Sequence, residues 1–184
     1  MLLNFIKYFI IMLKYVKRRV YKVYRTKTYI AGDWTGDNDA VQQLYKWNDS
    51  NHWGLSFHDA HDITQASDSS KNCSIKASLR KRLDVSKTFV LIVGDGTKTR
   101  RAGQCSYCFD RNECGNSSNK SFIEYECDKA FRDRLKIVVL YNSHIVDKNK
   151  CPDILKYEGV HVPMCYRKDG TLYWDYQTVK KALD

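Results

Sequence analysis

KTFVLIVG, residues 87–94, decides the fold. Phe89 to Val93 are apolar without a break, so no face of this segment is left for water. That is the pattern of a central parallel strand covered on both sides. KIVVLY at 136–141 repeats it. Between and before them lie helical patterns. Asn72–Asp84 places Ile75, Leu79 and Leu83 on one side, and Ser121–Leu135 opens with Ser121 and Glu124 at capping-box spacing. Further out, TYIAGDW (28–34) reads as a first strand, 37–51 as a helix with Asp37 or Asn38 as its cap, and WGLSFH (53–58) as a second short strand. His161–Tyr166 reads as a last strand and Tyr173–Leu183 as a last helix. Such alternation predicts an α/β domain: a doubly wound parallel sheet of about five strands with helices on both faces.

The chain has 184 residues and a formal net charge of +10. That length suits one domain. Residues 1–28 hold eight bases and no acid, which leaves 23 bases against 21 acids for residues 29–184. The body is nearly neutral, so a basic nucleic-acid face is not expected and no nucleic acid is assigned as partner. Residues 1–27 form a leader of their own. Phe5, Phe9, Leu13, Val16, Val20 and Val23 recur every three or four residues, with Lys7, Lys14, Lys17, Arg18, Lys22 and Arg25 mostly opposite. This is the pattern of a basic amphipathic helix in a membrane interface, with an ordinary packed N-terminal helix as the alternative. The apolar run Leu2–Leu13 is too short to span a bilayer and lacks a signal-peptide cleavage site. The expected location is the cytoplasm, with a tether to the inner face of the cell membrane through residues 1–27.

Seven cysteines, an odd number, argue for free thiols in a reducing compartment. Cys105, Cys108 and Cys114 fall in the long polar stretch 95–120, an insertion beyond ordinary loop length. They are weak candidates for structural zinc, because a fourth ligand is not evident. Free thiols are the preferred reading.

Ligands of doubly wound sheets bind outside the carboxyl ends of the strands. Those ends carry Gly32, Asp33 and Trp34, then His58 and Asp59, then Gly94, Asp95 and Gly96, then Tyr141 and Asn142. There is no Walker lysine loop and no Gly-x-Gly-x-x-Gly after the first strand, which argues against nucleotide-triphosphatase and classical dehydrogenase chemistry. Trp34 offers a stacking face, or else a core aromatic. Asp59 can hold a ribose hydroxyl or cap a turn. Arg100 and Arg101 can meet a pyrophosphate or stand in solvent. His58 and His61 read as solvated. Glu124 and Glu126 lie two positions apart on one helix and point to opposite flanks. Spacing alone makes Glu124 a cap and Glu126 a solvated charge.

The run FVLIVGDGTKTRR (89–101), followed after the insertion by SFIEYE (121–126), resembles the TIR-like domains of the Thoeris ThsB family. The resemblance spans about residues 28–142 and implies a flavodoxin-like, TIR-like fold for residues 28–184. Phe122-x-x-Tyr125-Glu126 matches the family's aromatic-x-x-aromatic-Glu helix start, which implies Glu126 as the catalytic residue with Tyr125 beside it. With NAD+ as the ligand, the strand-end residues Gly32, Asp33, Trp34, Asp59 and Gly94, together with Arg100 and Arg101, are the expected lining of its site. The implied activity is cleavage of the nicotinamide–ribose bond of NAD+, by hydrolysis or cyclisation, to make an ADP-ribose-type signal for an effector protein in antiphage defence. NAD+ is then the substrate and no cofactor is required; a homo-oligomer is an accompanying expectation. The 95–120 insertion and the leader depart from the family pattern. Two alternatives stand beside this: a non-enzymatic TIR-like scaffold, and a nucleoside deoxyribosyltransferase-like enzyme, which also uses a carboxylate at an anomeric carbon.

Overall fold

The computed structural model describes residues 25–60, 72–98 and 120–184. Most of the leader, His61, Arg100, Arg101, Cys105, Cys108 and Cys114 lie outside the described residues. Among the described residues no helix is long and apolar enough to cross a membrane.

Four parallel strands form the sheet, in the order β1 (Lys27–Ala31), β2 (Ser86–Val93), β3 (Lys136–Tyr141) and β4 (Val160–Pro163). Register is continuous across the centre, from Ile30 beside Val90 to Val90 beside Val138. The unbroken apolar run of β2 has the cause its pattern predicts. Phe89, Leu91 and Val93 face one core, while Val90 and Ile92 face the other. Helix α1 (Asn38–Asn48) and helix α4 (Tyr176–Leu183) cover the second face through Val41, Leu44, Trp47, Tyr176 and Val179. Helices α2 (Asn72–Asp84) and α3 (Phe122–Arg132) cover the first through Leu79, Leu83, Ile123 and Ala130. The doubly wound architecture is therefore present.

Several boundaries differ from expectation. WGLSFH is not a regular strand; it runs to a single parallel bridge between Thr28 and Asp59, held by Thr28 N–H to the His58 carbonyl and Ala60 N–H to the Thr28 carbonyl. The segment is extended but too brief for a ladder. The helix expected over 37–51 is shorter, and Asp37 stands at its N-cap without its carboxylate accepting a cap hydrogen bond. At the C-terminal end, the expected strand 161–166 splits at Met164. The chain then forms an antiparallel pair, β5 (Cys165–Lys168) and β6 (Thr171–Trp174), and the last helix begins at Tyr176 rather than Tyr173. Asp169 (φ 50°) and Gly170 (φ 77°) both take left-handed backbone between these strands, as a two-residue hairpin requires.

The bridge at Asp59 matters for function. After β1 the chain passes α1 on one face, reaches the outer side of β1 at Asp59, then returns through α2 on the opposite face to β2. The order of winding reverses between β1 and β2. Their carboxyl ends flank a topological switch point, where doubly wound sheets open a crevice.

Candidate functional site

A hollow of about 270 Å³ opens at this end of the sheet. Gly36 and Asp37 come from the turn that leads into α1, Gly94 from the end of β2, and Tyr141 and Asn142 from the end of β3. Asp37 is its most unusual wall. The residue is only 3% exposed, and its Oδ2 has no hydrogen-bond partner among the described residues. Its Oδ1 accepts from Asn142 Nδ2 at 3.1 Å, and the same amide donates to Asp39 Oδ1 at 3.0 Å. Burial raises the Asp37 carboxyl above its ordinary range, and the nearby Asp33, Asp39 and Asp95 add to the rise, against the lowering by Asn142. Gly94 makes this packing feasible: a Cβ built there would fall on the Asp37 carboxylate. On the far wall, the Tyr141 hydroxyl lies 2.9 Å from His161 Nδ1. His161 Nε2 lies 3.1 and 3.0 Å from the Leu155 and Glu158 carbonyls, so Nε2 carries the hydrogen and Nδ1 accepts from Tyr141.

Glu126 is held elsewhere. It stands one turn into α3, which the capping box starts as expected: the Glu124 N–H donates to Ser121 Oγ at 3.0 Å, and the Ser121 N–H donates to Glu124 Oε2 at 2.8 Å. Glu126 is not the solvated charge that spacing suggests but 7% exposed, because its flank of the helix faces β1 and α2. The Tyr29 hydroxyl of β1 donates to Glu126 Oε1 at 2.5 Å. The Arg82 guanidinium of α2 faces both groups and hydrogen-bonds Tyr29. Desolvation pushes the Glu126 carboxyl up to about 7, against the pull of Tyr29 and Arg82 toward the ionised form. Glu126 does not line the 270 Å³ hollow.

The remaining expected site residues divide. Gly94 lines the hollow, and Asp33 stands just behind it, 7% exposed, accepting from the Thr35 N–H at 3.1 Å. Gly32 lies close against Ile92, 3.2 Å from its Cβ to a methyl placed there, and serves strand packing. Trp34 is 41% exposed and leans on Tyr45, so it belongs neither to the core nor to the hollow's wall. Asp59 accepts a short hydrogen bond from the Tyr45 hydroxyl of α1. Tyr125 is buried under the Lys76 ammonium, 5.6 Å from its ring centre. His58 is exposed. Residue order presents Asp37 only as a helix cap, and Asn142 only as one of the polar strand ends. One signal does raise them: an acid after the first strand facing an amide after a buried strand, on either side of a glycine.

The fold is a doubly wound α/β domain with a hollow at its switch point. The family model described as Thoeris protein ThsB, TIR-like domain, matches residues 28–104. That stretch is similar to the TIR-like domain of this Thoeris family. The match takes in Asp33, Asp37, Asp59 and Gly94 and ends before Glu126 and Asn142. A search of curated proteins finds no match to the chain.

Proposed function

We propose that this protein cleaves the nicotinamide–ribose bond of NAD+ and releases an ADP-ribose-type nucleotide that signals to an effector during antiphage defence. The observation that supports this reading is the Glu126 carboxylate, kept inside the protein on α3, in the Phe122-x-x-Tyr125-Glu126 run whose resemblance to the family implies a catalytic acid. Nicotinamide leaves as a neutral molecule, so the step needs no general acid. The ribose left behind has oxocarbenium character, and a carboxylate in a low-dielectric surrounding stabilises that charge more than one in water. Glu126 with an acid range near 7 is about half ionised at neutral pH. A cationic nicotinamide ring drawn toward it favours the ionised form. Excluding water from the intermediate favours cyclisation over hydrolysis.

The test is mass spectrometry of products formed from NAD+ by the full-length protein and its Glu126→Gln variant, each with extract of infected and uninfected cells. The expected result is nicotinamide release by the parent protein and at least a hundredfold less by the variant. Equal release by both overturns Glu126 as the catalytic residue. A second reading rests on the same trio. Tyr29, Glu126 and Arg82 join β1, α3 and α2, as a purely structural polar cluster would, and the protein would then be a TIR-like docking module. Absence of NAD+ cleavage under every condition above favours that module. In either case residues 1–27 supply the tether to an anionic membrane surface, tested by sedimentation with and without anionic vesicles. Base exchange with deoxynucleosides would instead point to the transferase alternative.

A further inference from the structure

We infer that the amino end of the sheet is a docking face for an anionic lipid surface, on which the domain sits with its strand starts down and its hollow turned away. The inference rests on the reading of residues 1–27 as a membrane tether and extends it to the folded body. Because β1 to β4 are all parallel, their first residues share one end of the molecule. Lys27 begins β1, Lys136 begins β3, and Lys87 stands second in β2. Lys81 in the last turn of α2 and Arg134 just before β3 lie at the same end. Helix dipoles account for a base in a last turn. They do not account for lysines at the starts of three neighbouring strands.

The acids at this end are already engaged. Asp84 and Asp133 hold the Lys129 ammonium at 2.7 and 2.8 Å, and Asp184 holds Lys180 at 3.1 Å. Lys27, Lys81, Lys87, Arg134 and Lys136 enter no ion pair among the described residues, and all but Lys27 are exposed. Lys87 and Lys136 also line a groove with the apolar Leu55, Phe57 and Leu183, where their amines can meet a phosphate. At the other end of the strands the hollow gathers Asp37, Asp95 and Asp147 against Lys150, with Asp33 and Asp39 beside Asp37. Charge is therefore polarised along the strands, and a negative surface attracts one end while repelling the other.

The chain itself identifies the occupant. Arg25 is fastened at the basic end: its Nη1 donates to the Asp133 carbonyl at 3.0 Å, and the Thr26 and Lys27 N–H groups donate to the Val85 carbonyl. Residues 1–24, with six bases, no acid and an apolar residue every three or four positions, join the domain there. Phe131 in the last turn of α3 and Val160 at the start of β4 stand 40% and 44% exposed at this same end. Apolar side chains among bases suit a lipid interface, which can bury them, better than a nucleic-acid backbone, which offers phosphate alone.

Sedimentation of the full-length protein with vesicles of phosphatidylcholine and phosphatidylglycerol, against vesicles of phosphatidylcholine alone, tests the inference. One base near an anionic leaflet is worth about fivefold in affinity. Lys87→Gln with Lys136→Gln should thus weaken binding to the anionic vesicles by about tenfold or more. Lys87→Gln with Arg134→Gln should do the same, and serves should loss of the Lys136 contact to the Leu183 carbonyl unsettle α4. Arg167→Gln with Lys168→Gln removes equal charge from the β5–β6 hairpin, which follows the carboxyl end of β4, and should weaken binding less than about twofold. Equal weakening by the two ends would show attraction by net charge alone and overturn the inference. Tighter binding of the parent protein to duplex DNA than to the anionic vesicles would overturn lipid as the occupant. Phe5→Asp with Phe9→Asp, in the leader, separates this face from the tether. Binding lost in the leader variant but unchanged in the lysine variants refutes the face and leaves the tether standing. Binding lost in the lysine variants but kept in the leader variant supports the face and refutes the tether. No binding of the parent protein to anionic vesicles refutes both.

Discussion

Replacing Glu126 with glutamine should change how the fold responds to pH more than it changes the fold. The ordinary glutamate range centres on 4.5, and the folded protein lifts Glu126 to about 7. Folded protein therefore holds this proton more tightly than the unfolded chain does. Below about 4.5 both states are protonated and the group is neutral to stability. Between about 4.5 and 7 the unfolded chain releases the proton first, so stability falls as pH rises, and the loss is complete above about 7. At about 1.4 kcal/mol for each pH unit of displacement, the loss is roughly 3 kcal/mol. The glutamine of the Glu126→Gln variant accepts the Tyr29 hydroxyl through its amide oxygen but does not titrate, so the variant's profile lacks this fall. Urea unfolding followed by tryptophan fluorescence, at several pH values from 4.5 to 8, measures the difference between variant and parent. That difference should move by about 3 kcal/mol in favour of glutamine across the window, whatever its value at pH 4.5. Nearly parallel profiles, differing by less than about 0.5 kcal/mol, would refute the reasoning. They are what a solvated Glu126, the expectation from spacing alone, would produce.

Three further outcomes follow from single contacts. Asp37→Asn should raise stability at pH 7.5 by about 1 kcal/mol, with less gain at pH 4.5, because it removes a buried charge beside Asp33, Asp39 and Asp95; thermal unfolding at both pH values checks this. Gly94→Ala should destabilise by about 1–3 kcal/mol, since the new methyl lands on the Asp37 carboxylate, and Asp37→Ala in the same chain should recover most of the loss. A double-mutant cycle by urea unfolding with no coupling between the two positions would contradict the packing described. Ser121→Ala should cost about 1 kcal/mol by removing half of the capping box that begins α3, read from the urea midpoint at unchanged slope.

Where local pattern and global packing agree, the fold is legible from residue order. The run 89–93 is buried on both faces because it lies between β1 and β3 with helices above and below. The capping box at Ser121 and Glu124 is a contact within four residues, so its spacing specifies it. The hairpin at 165–174 also has a local signal, Asp169-Gly170, the dipeptide best suited to two successive positive φ angles. It is obscured by the alternating residues before it and by the apolar spacing of 173–183, which fits a helix starting three residues early. Site residues are less legible because burial is a tertiary property. Spacing marks Glu124 as the cap, but nothing within α3 chooses whether Glu126 is solvated or buried. The choice is made by Tyr29, 97 positions away, and by Arg82. Asp37 likewise becomes unusual only through Gly94 and Asn142, which come from other strands.

Among the three buried carboxylates of the described residues, Asp33, Asp37 and Glu126, burial outweighs the contacts that favour the charge in two, Asp37 and Glu126. Residues that served only the fold would meet the same packing demands at lower cost as amides or apolar side chains. The two sites nevertheless differ in how complete they are. Glu126 already has a hydroxyl donor and a facing guanidinium, so its surroundings account for it within the protein. Asp37 has one oxygen satisfied by Asn142 and one left without a donor among the described residues, in the wall of the hollow at the point where the sheet's winding reverses. The Glu126 trio is closed within the protein, whereas the Asp37 acceptor is left without a donor among the described residues. Glu126 does not line the hollow, so a substrate cation would lower the acid range of both only where it reached past the hollow to α3. Proton release on binding, seen as a dependence of the calorimetric heat on the ionisation enthalpy of the buffer, distinguishes that coupled arrangement from a single-site one. For the parent protein at pH 6.5 it should approach one proton for each ligand bound, and the Asp37→Asn and Glu126→Gln variants should each reduce it. An equal release from parent and both variants would mean that neither carboxylate meets the ligand.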